Sequence, residues 1–383
     1  MNGRQSINTN LRLKIVLGAA RQLAIPLLAV LSAFIVGMVM VALAGFDPIK
    51  SFIALLDGAF GSGINFTETL VKSGPFLFTG LGVAIAFRSK SFNIGAEGQF
   101  YMGALAVSWL GVALGGLPAV VLIPILMVAA FVSGGIYGAI PGYLKARVGA
   151  SEIVTTVMMN SIAVQFVNWI IRGPLQEPRH FYPETAEIAA SAKLPVLIHG
   201  TRLHLGLFIG LAIAVLAYYF ITKTVLGYQI RAVGSGPLAA EYAGIDIKRN
   251  IILAMAISGG LAGLGGAVEL TGVTWKLYSN FSPGYGYSAI AVALLARRNP
   301  LAVILTSLLF GALATGANNL QRAAEVPAML SSVMQALVIF FVLGYAVYEQ
   351  WPRKGRGRPV PGPKAGTLAA AGSGESKGAG ADD

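Results

Sequence analysis

Long apolar runs recur throughout this 383-residue chain and leave few folds open to it. Segments 23–45, 68–87, 98–114, 118–142, 153–171, 204–221, 251–272, 284–296, 300–317 and 328–348 are mostly apolar. A helix needs about 20 such residues to cross a bilayer, and fewer where it is broken. The eighth run is short. Soluble domains carry roughly 25% charged residues; here the figure is 11%, with 55% hydrophobic residues. The pattern predicts an all-α membrane protein of about ten transmembrane helices.

Several chemistries are excluded at once. Cysteine is absent, which removes disulfides, thiolate metal sites and a cysteine nucleophile. The three histidines, His180, His199 and His204, lack metal-ligand spacing. The chain has no GxxxxGK[ST] phosphate loop, so any ATP hydrolysis belongs to a partner. We find no catalytic constellation and no cofactor motif, and read the chain as a non-enzyme. The basic opening "MNGRQSINTNLRLKIVLGAARQ" precedes an apolar run too long for a signal-peptide core, which reads as the first anchor.

The charges set the expected orientation. Cytoplasmic loops of membrane proteins are enriched in Lys and Arg. With the N-terminus inside and ten spans, 20 of the 28 basic residues fall on the inside. They include Arg88, Lys90, Lys145, Arg147, Arg231, Arg297 and Arg298. The formal charge of +12 is then wholly cytoplasmic and needs no nucleic-acid partner. Both termini are expected in the cytoplasm. Residues 1–22 form a basic N-terminus and 23–348 the membrane domain. The long outer loop is 172–203 and the main cytoplasmic loop 222–250. The Gly/Pro/Ala-rich tail 349–383 has nothing to bury and is expected to be disordered. Its basic start can touch anionic lipid.

Two stretches match each other faintly. "FNIGAEGQFYMGAL" (92–105) and "FSPGYGYSAIAVAL" (281–294) share Phe92/Phe281, Gly95/Gly284 and Leu105/Leu294. The expected topology runs them in opposite directions, as in an inverted-topology repeat; chance likeness of Gly-rich apolar text is the alternative. Glycine-loosened backbone is tolerated at membrane depth only against protein or a wet cavity. "SFNIGAEGQF" (91–100) is therefore either a re-entrant piece beside a translocation path or a plain cytoplasmic turn, with Glu97 paired to Arg88 or Lys90.

In the cytoplasmic loop, Ser235 can cap a short helix, Pro237 suits its first turn and Gly244 ends it. Leu238, Tyr242 and Ile245 share one face. The helix is either a docking knob for another protein's groove or a helix lying flat on the membrane.

At this point the sequence resembles a known family. "GYQIRAVGSGPLAAEYAGIDIKRNIILAMAISGGLAGLGGA" (227–267) resembles the cytoplasmic coupling loop of ABC-importer permeases of the ribose/branched-chain-amino-acid class. "FNIGAEGQFYMGALAV" (92–107) and "SEIVTTVMMNSIA" (151–163) are similar to its nucleoside or simple-sugar branch. The resemblance spans roughly 20–350. It implies a permease subunit that moves a small polar solute, most expectedly a nucleoside or simple sugar. It also implies a cytoplasmic ATP-binding-cassette ATPase, a second homologous permease and an extracytoplasmic substrate-binding lipoprotein. The coupling residues would be Arg231, Pro237, Ala240, Glu241, Tyr242 and Gly244.

A neutral ring-bearing solute needs hydrogen bonds and flat apolar faces. The candidates for its path are Asn93, Glu97, Gln99, Phe100 and Tyr101, then Asn160, then Phe281, Tyr285 and Tyr287. Tyr278, Asn280, Glu152 and Glu269 add polarity, although Glu152 could simply cap its helix. The alternative class is an ion-coupled secondary transporter that works without an ATPase, for which Glu269 would be the one mid-membrane carboxylate.

Overall fold

The computed structural model describes residues 31–323, with Leu28 and parts of 326–345. The basic N-terminus 1–22, the tail 349–383 and much of the expected span 328–348 lie outside the described residues. Within residues 31–323, twelve α-helices follow one another: α1 Leu31–Leu43, α2 Pro48–Phe60, α3 Gly63–Arg88, α4 Ala96–Ala113, α5 Ala119–Tyr143, α6 Glu152–Ile171, α7 Gly206–Lys223, α8 Val225–Ser235, α9 Pro237–Tyr242, α10 Ile247–Glu269, α11 Tyr285–Leu295 and α12 Pro300–Ala323. A single π turn extends α5 through 144–148 and another extends α10 through 270–274. Among the described residues there is no strand, only three isolated bridges.

Six of these helices, α3, α5, α6, α7, α10 and α12, are long and apolar enough to cross a membrane. The all-α membrane architecture is thus present. The expected spans 98–114 and 284–296 appear as α4 and the shorter α11. Two helices were not expected. Residues 48–60 form α2, which Pro48 opens and the Asp47 carboxylate caps by accepting from Ile49 and Lys50 N–H. It is amphipathic and too short for a hydropathy search. Residues 225–235, read as loop, form α8.

The bundle is built around α3 and α10, which are the most deeply buried of the six spans. Their burial follows from composition. α10 carries the run "SGGLAGLGGA", so neighbouring backbones can approach it closely. A Cβ on Gly134 of α5 would lie 2.4 Å from the Gly259 carbonyl oxygen, and one on Gly259 would lie 2.3 Å from the Gly134 carbonyl oxygen. Gly263 meets the Ala130 carbonyl in the same way, at 2.4 Å. α6 and α7 lie at the periphery and turn Ile162, Phe166, Trp169, Phe208, Leu216 and Tyr219 outward, as lipid contact requires.

The long loop before α7 folds over one end of this core. Thr185 N–H donates to the Leu277 carbonyl, Ile188 N–H to Trp275 and Leu194 N–H to Thr271. Lys276 pairs with Glu184 at 2.8 Å, and Lys193 lies 4.2 Å from the centre of the Trp275 ring. The loop thereby fixes segment 270–281, which leads into α11.

Candidate translocation site

The stretch 91–100 leaves α3, runs without regular structure from Ser91 to Ile94, and enters α4 at Ala96. Its polar groups have partners deep inside the protein. Asn93 is fully buried; its amide donates to Gln99 Oε1 and to Ser258 Oγ of α10, both at 2.8 Å. Its Oδ1 accepts from Gly95 N–H at 2.9 Å. From α6, Asn160 accepts from Gly98 N–H at 2.8 Å and donates to the Ile94 carbonyl at 2.9 Å. The backbone freed where the helix is broken is therefore satisfied by two amide side chains, Asn93 and Asn160, while Gln99 and Ser258 hold the Asn93 amide in place. The glycines allow it: a Cβ on Gly98 would lie 3.1 Å from Asn160 Cα.

Glu97 points elsewhere. It pairs with neither Arg88 nor Lys90, because Arg88 donates instead to the Arg298 carbonyl. Glu97 Oε2 accepts from Gly286 N–H at 2.7 Å, in the first turn of α11, with Tyr287 N–H and the Ser282 side chain also within hydrogen-bond reach. The starts of α4 and α11 thus abut. Their contact is so close that a Cβ on Gly286 would lie 2.1 Å from the Glu97 nitrogen. The matched glycines of the sequence comparison, Gly95 and Gly284, stand directly ahead of these two helices. Two positive helix ends converge on one carboxylate, which the dipoles stabilise.

Aromatic rings gather beside this junction. Phe100 lies 5.6 Å from both Phe281 and Tyr285, and Tyr101 lies 6.1 Å from Phe281. Phe76 of α3 meets Tyr285 edge-on at 5.0 Å, and Tyr278 meets Phe281 at 5.8 Å. Tyr101 Oη accepts from Ser282 N–H, and Ser282 Oγ from Gly284 and Tyr285 N–H, each at 3.1 Å. Lys72 Nζ reaches Tyr285 Oη at 3.4 Å.

The expected path residues therefore divide. Glu97, Phe100, Tyr101, Phe281 and Tyr285 converge at the α4–α11 junction. Asn93, Gln99 and Asn160 interlock behind it. Tyr287 stands beside the junction with its own side chain exposed. Glu152, also considered, pairs with Lys145 at 2.6 Å and approaches Phe92 N–H at 3.5 Å, at the end of the bundle. Sequence reasoning missed Phe76, Ser258, Ser282 and Lys72. Lys72 was legible as a lone ammonium within the apolar text "LVKSGPFLF"; the serines had no signal of their own.

The expected coupling helix is α9, shorter than the sequence suggested. Pro237 occupies its first position, and Gly236 rather than Ser235 stands at the cap, because Ser235 Oγ bonds the Arg231 carbonyl at 2.8 Å. Gly244, at φ +76°, ends it: Gly244 N–H donates to Glu241 and Ile245 N–H to Ala240. Ala240 is buried against its neighbours, while Leu238 is 73% and Tyr242 94% exposed, with Glu241 beside them. Arg231, on α8, is half-buried, and its Nε has no hydrogen-bond partner among the described residues.

Comparison with known proteins places this architecture. The family described as "Branched-chain amino acid transport system / permease component" matches residues 65–343. The chain belongs to this permease family. It is 37% identical over 332 residues to the guanosine ABC transporter permease protein of Bacillus subtilis, covering 85% of this chain and 94% of that one. It is 34% identical over 336 residues to the glucose ABC transporter permease protein of Haloferax volcanii, at 85% and 88% coverage. It is 33% identical over 342 residues to the nucleoside ABC transporter permease protein of Lactococcus lactis, at 87% and 94%. No solved structure shows a significant match. The chain is accordingly the permease subunit of an ATP-binding-cassette importer, a multi-pass plasma-membrane protein and not an enzyme in its own right. The ion-coupled alternative gives way to this membership.

Proposed function

We propose that this permease forms the path for a nucleoside, at the junction of α4 and α11. The observation that carries the reading is the abutment of the two helix starts across Glu97, walled by Phe76, Phe100, Tyr101, Phe281 and Tyr285. Transporters commonly place broken-helix ends at the solute site. A nucleobase presents two flat faces to such rings and a polar edge to a carboxylate, whereas a sugar offers mainly hydroxyls. The relatives named for guanosine and for nucleosides support this choice; the glucose relative keeps sugar as the competing outcome.

Asn93, Gln99 and Asn160 hold the break in place, and Tyr287 borders the path. Ten spans with both termini in the cytoplasm, the inverted repeat, and the division into membrane domain, loops and tail complete the reading. The charge distribution supports the orientation. α9 would present Leu238, Glu241 and Tyr242 to the ATPase, with Arg231, Pro237, Ala240 and Gly244 shaping it. A second, different permease subunit and a substrate-binding lipoprotein complete the assembly.

The test is uptake in a strain lacking the chain and complemented with it. Labelled guanosine should accumulate only with the chain present, and unlabelled nucleosides should compete where glucose does not. Accumulation of glucose unaffected by nucleosides would overturn the nucleoside assignment.

A further inference from the structure

Beyond the junction, on the side of Tyr285 that faces Lys72, lies a second polar group that the packing does not explain. Glu269, the last residue of α10, is only 4% exposed, yet among the described residues it makes no hydrogen bond and no ion pair within 4.0 Å. Lys72 and Arg202 lie within electrostatic reach of it. Arg202, however, is engaged by Glu68 in a two-pronged ion pair. Lys72, one helical turn from Glu68 on α3, has the Tyr285 hydroxyl as its one hydrogen-bond partner among the described residues. A buried carboxylate and a half-buried ammonium left apart both bear desolvation cost, the carboxylate most, without the contact that would offset it. A mainly structural pair would close to contact distance. Both groups also act electrostatically on Tyr285 or bond it, and Tyr285 is a wall of the aromatic cluster.

We infer that Lys72 and Glu269 are the specificity-determining residues of the path, two opposite poles that read the edge of an uncharged heterocycle. Glu269 accepts from a ring N–H or amino group, and Lys72 donates to a ring carbonyl or unprotonated ring nitrogen. The local charge favours this class: Glu97 and Glu269 together outweigh Lys72, and the Glu68–Arg202 pair adds nothing net. A phosphate ester, carrying up to two negative charges, would meet two carboxylates in a water-poor site and is rejected. The inference rests on the nucleoside reading above.

The experiment uses the complete transporter in cells, at matched membrane amounts, with labelled guanosine as the probe and guanosine monophosphate as the charged competitor. Glu269→Gln and Lys72→Gln should each lower guanosine uptake efficiency about ten-fold or more, the loss expected for a hydrogen bond to a charged group. Lys72→Arg should retain more uptake than Lys72→Gln. The double variant separates recognition from mutual neutralisation. It removes both charges together, so a structural role predicts recovery, whereas recognition predicts uptake no better than in either single variant. Recovery in the double variant, or single variants within two-fold of wild type, would overturn this inference and leave the nucleoside reading standing. Glucose uptake without guanosine uptake by the wild type would overturn both. Inhibition of wild-type uptake by guanosine monophosphate as strong as by unlabelled guanosine would overturn the charge-exclusion part.

Discussion

Glu97 shows how one residue serves two helices. It lies in the first turn of α4 and accepts from the first turn of α11, so removing its side chain leaves the buried Gly286 N–H without a partner. Such an orphan costs about 1–3 kcal/mol. We expect Glu97→Ala to lower thermal stability in detergent and to abolish uptake, and Glu97→Gln, which keeps an acceptor oxygen, to retain most of the stability. Equal melting temperatures for wild type and Glu97→Ala would contradict this. His204, in the loop just ahead of α7, gives a second residue-scale expectation. Its ring is wedged between Gly206 and Gly272, accepts from Gly206 N–H at 3.1 Å, and is pushed by burial from 6.5 down to about 4. The folded protein holds this ring neutral, so the unfolded chain takes up its proton first as pH falls. Stability present above pH 6.5 should be lost progressively towards pH 4, by about 3 kcal/mol in all. A pH series of melting curves for wild type and His204→Asn should show the slope flattened in the variant; parallel curves would contradict it.

At the scale of elements, the sequence was most legible where period and length agree. α5, α6 and α7 stand within two residues of their expected spans, and α12 starts where expected and runs six residues further, because each is a long apolar run bounded by polar text. α2 and α8 escaped because they are short and amphipathic, and their signal is a cap rather than a run: Asp47–Pro48 for one, Thr224 for the other. The stretch 91–100 announced itself as unusual, but only three-dimensional contact could divide it. Asn93 and Gln99 are chemically like Glu97, yet they bond one another, while Glu97 crosses to a helix nearly two hundred residues away. α9 was readable from Pro237 and Gly244, and its exposed face carries the next expectation. Glu241→Arg, on an exposed side chain, should leave membrane insertion unchanged but reduce ATPase co-purification and uptake several-fold. Normal values for both would remove the docking role. Ala240→Asp is the less informative change, since Ala240 is buried and the variant would disturb α9 itself.

Across the whole molecule, the absence of cysteine makes topology directly measurable. His199 and Ser235 are both exposed, one in the long loop before α7 and the other at the end of α8. A cysteine at His199 should react with an impermeant maleimide added to intact cells, and one at Ser235 should react only after the membrane is opened. The reverse pattern would invert the orientation read from the charges.

The glycine seam between α5 and α10 has a mechanical meaning. Backbones in direct contact along Gly134, Gly259 and Gly263 leave no side-chain layer to shear, so the two helices behave as one stiff rod. That rod begins four residues after α9 and ends at Glu269. Its 23 residues give a length of about 34 Å. A tilt of about 5° imposed at the α9 end would become a stroke of about 3 Å at the other, enough to open or close a gap one atom wide. Between the proposed docking helix and the proposed solute site, such a rod would act as a lever, with no relay of small rearrangements.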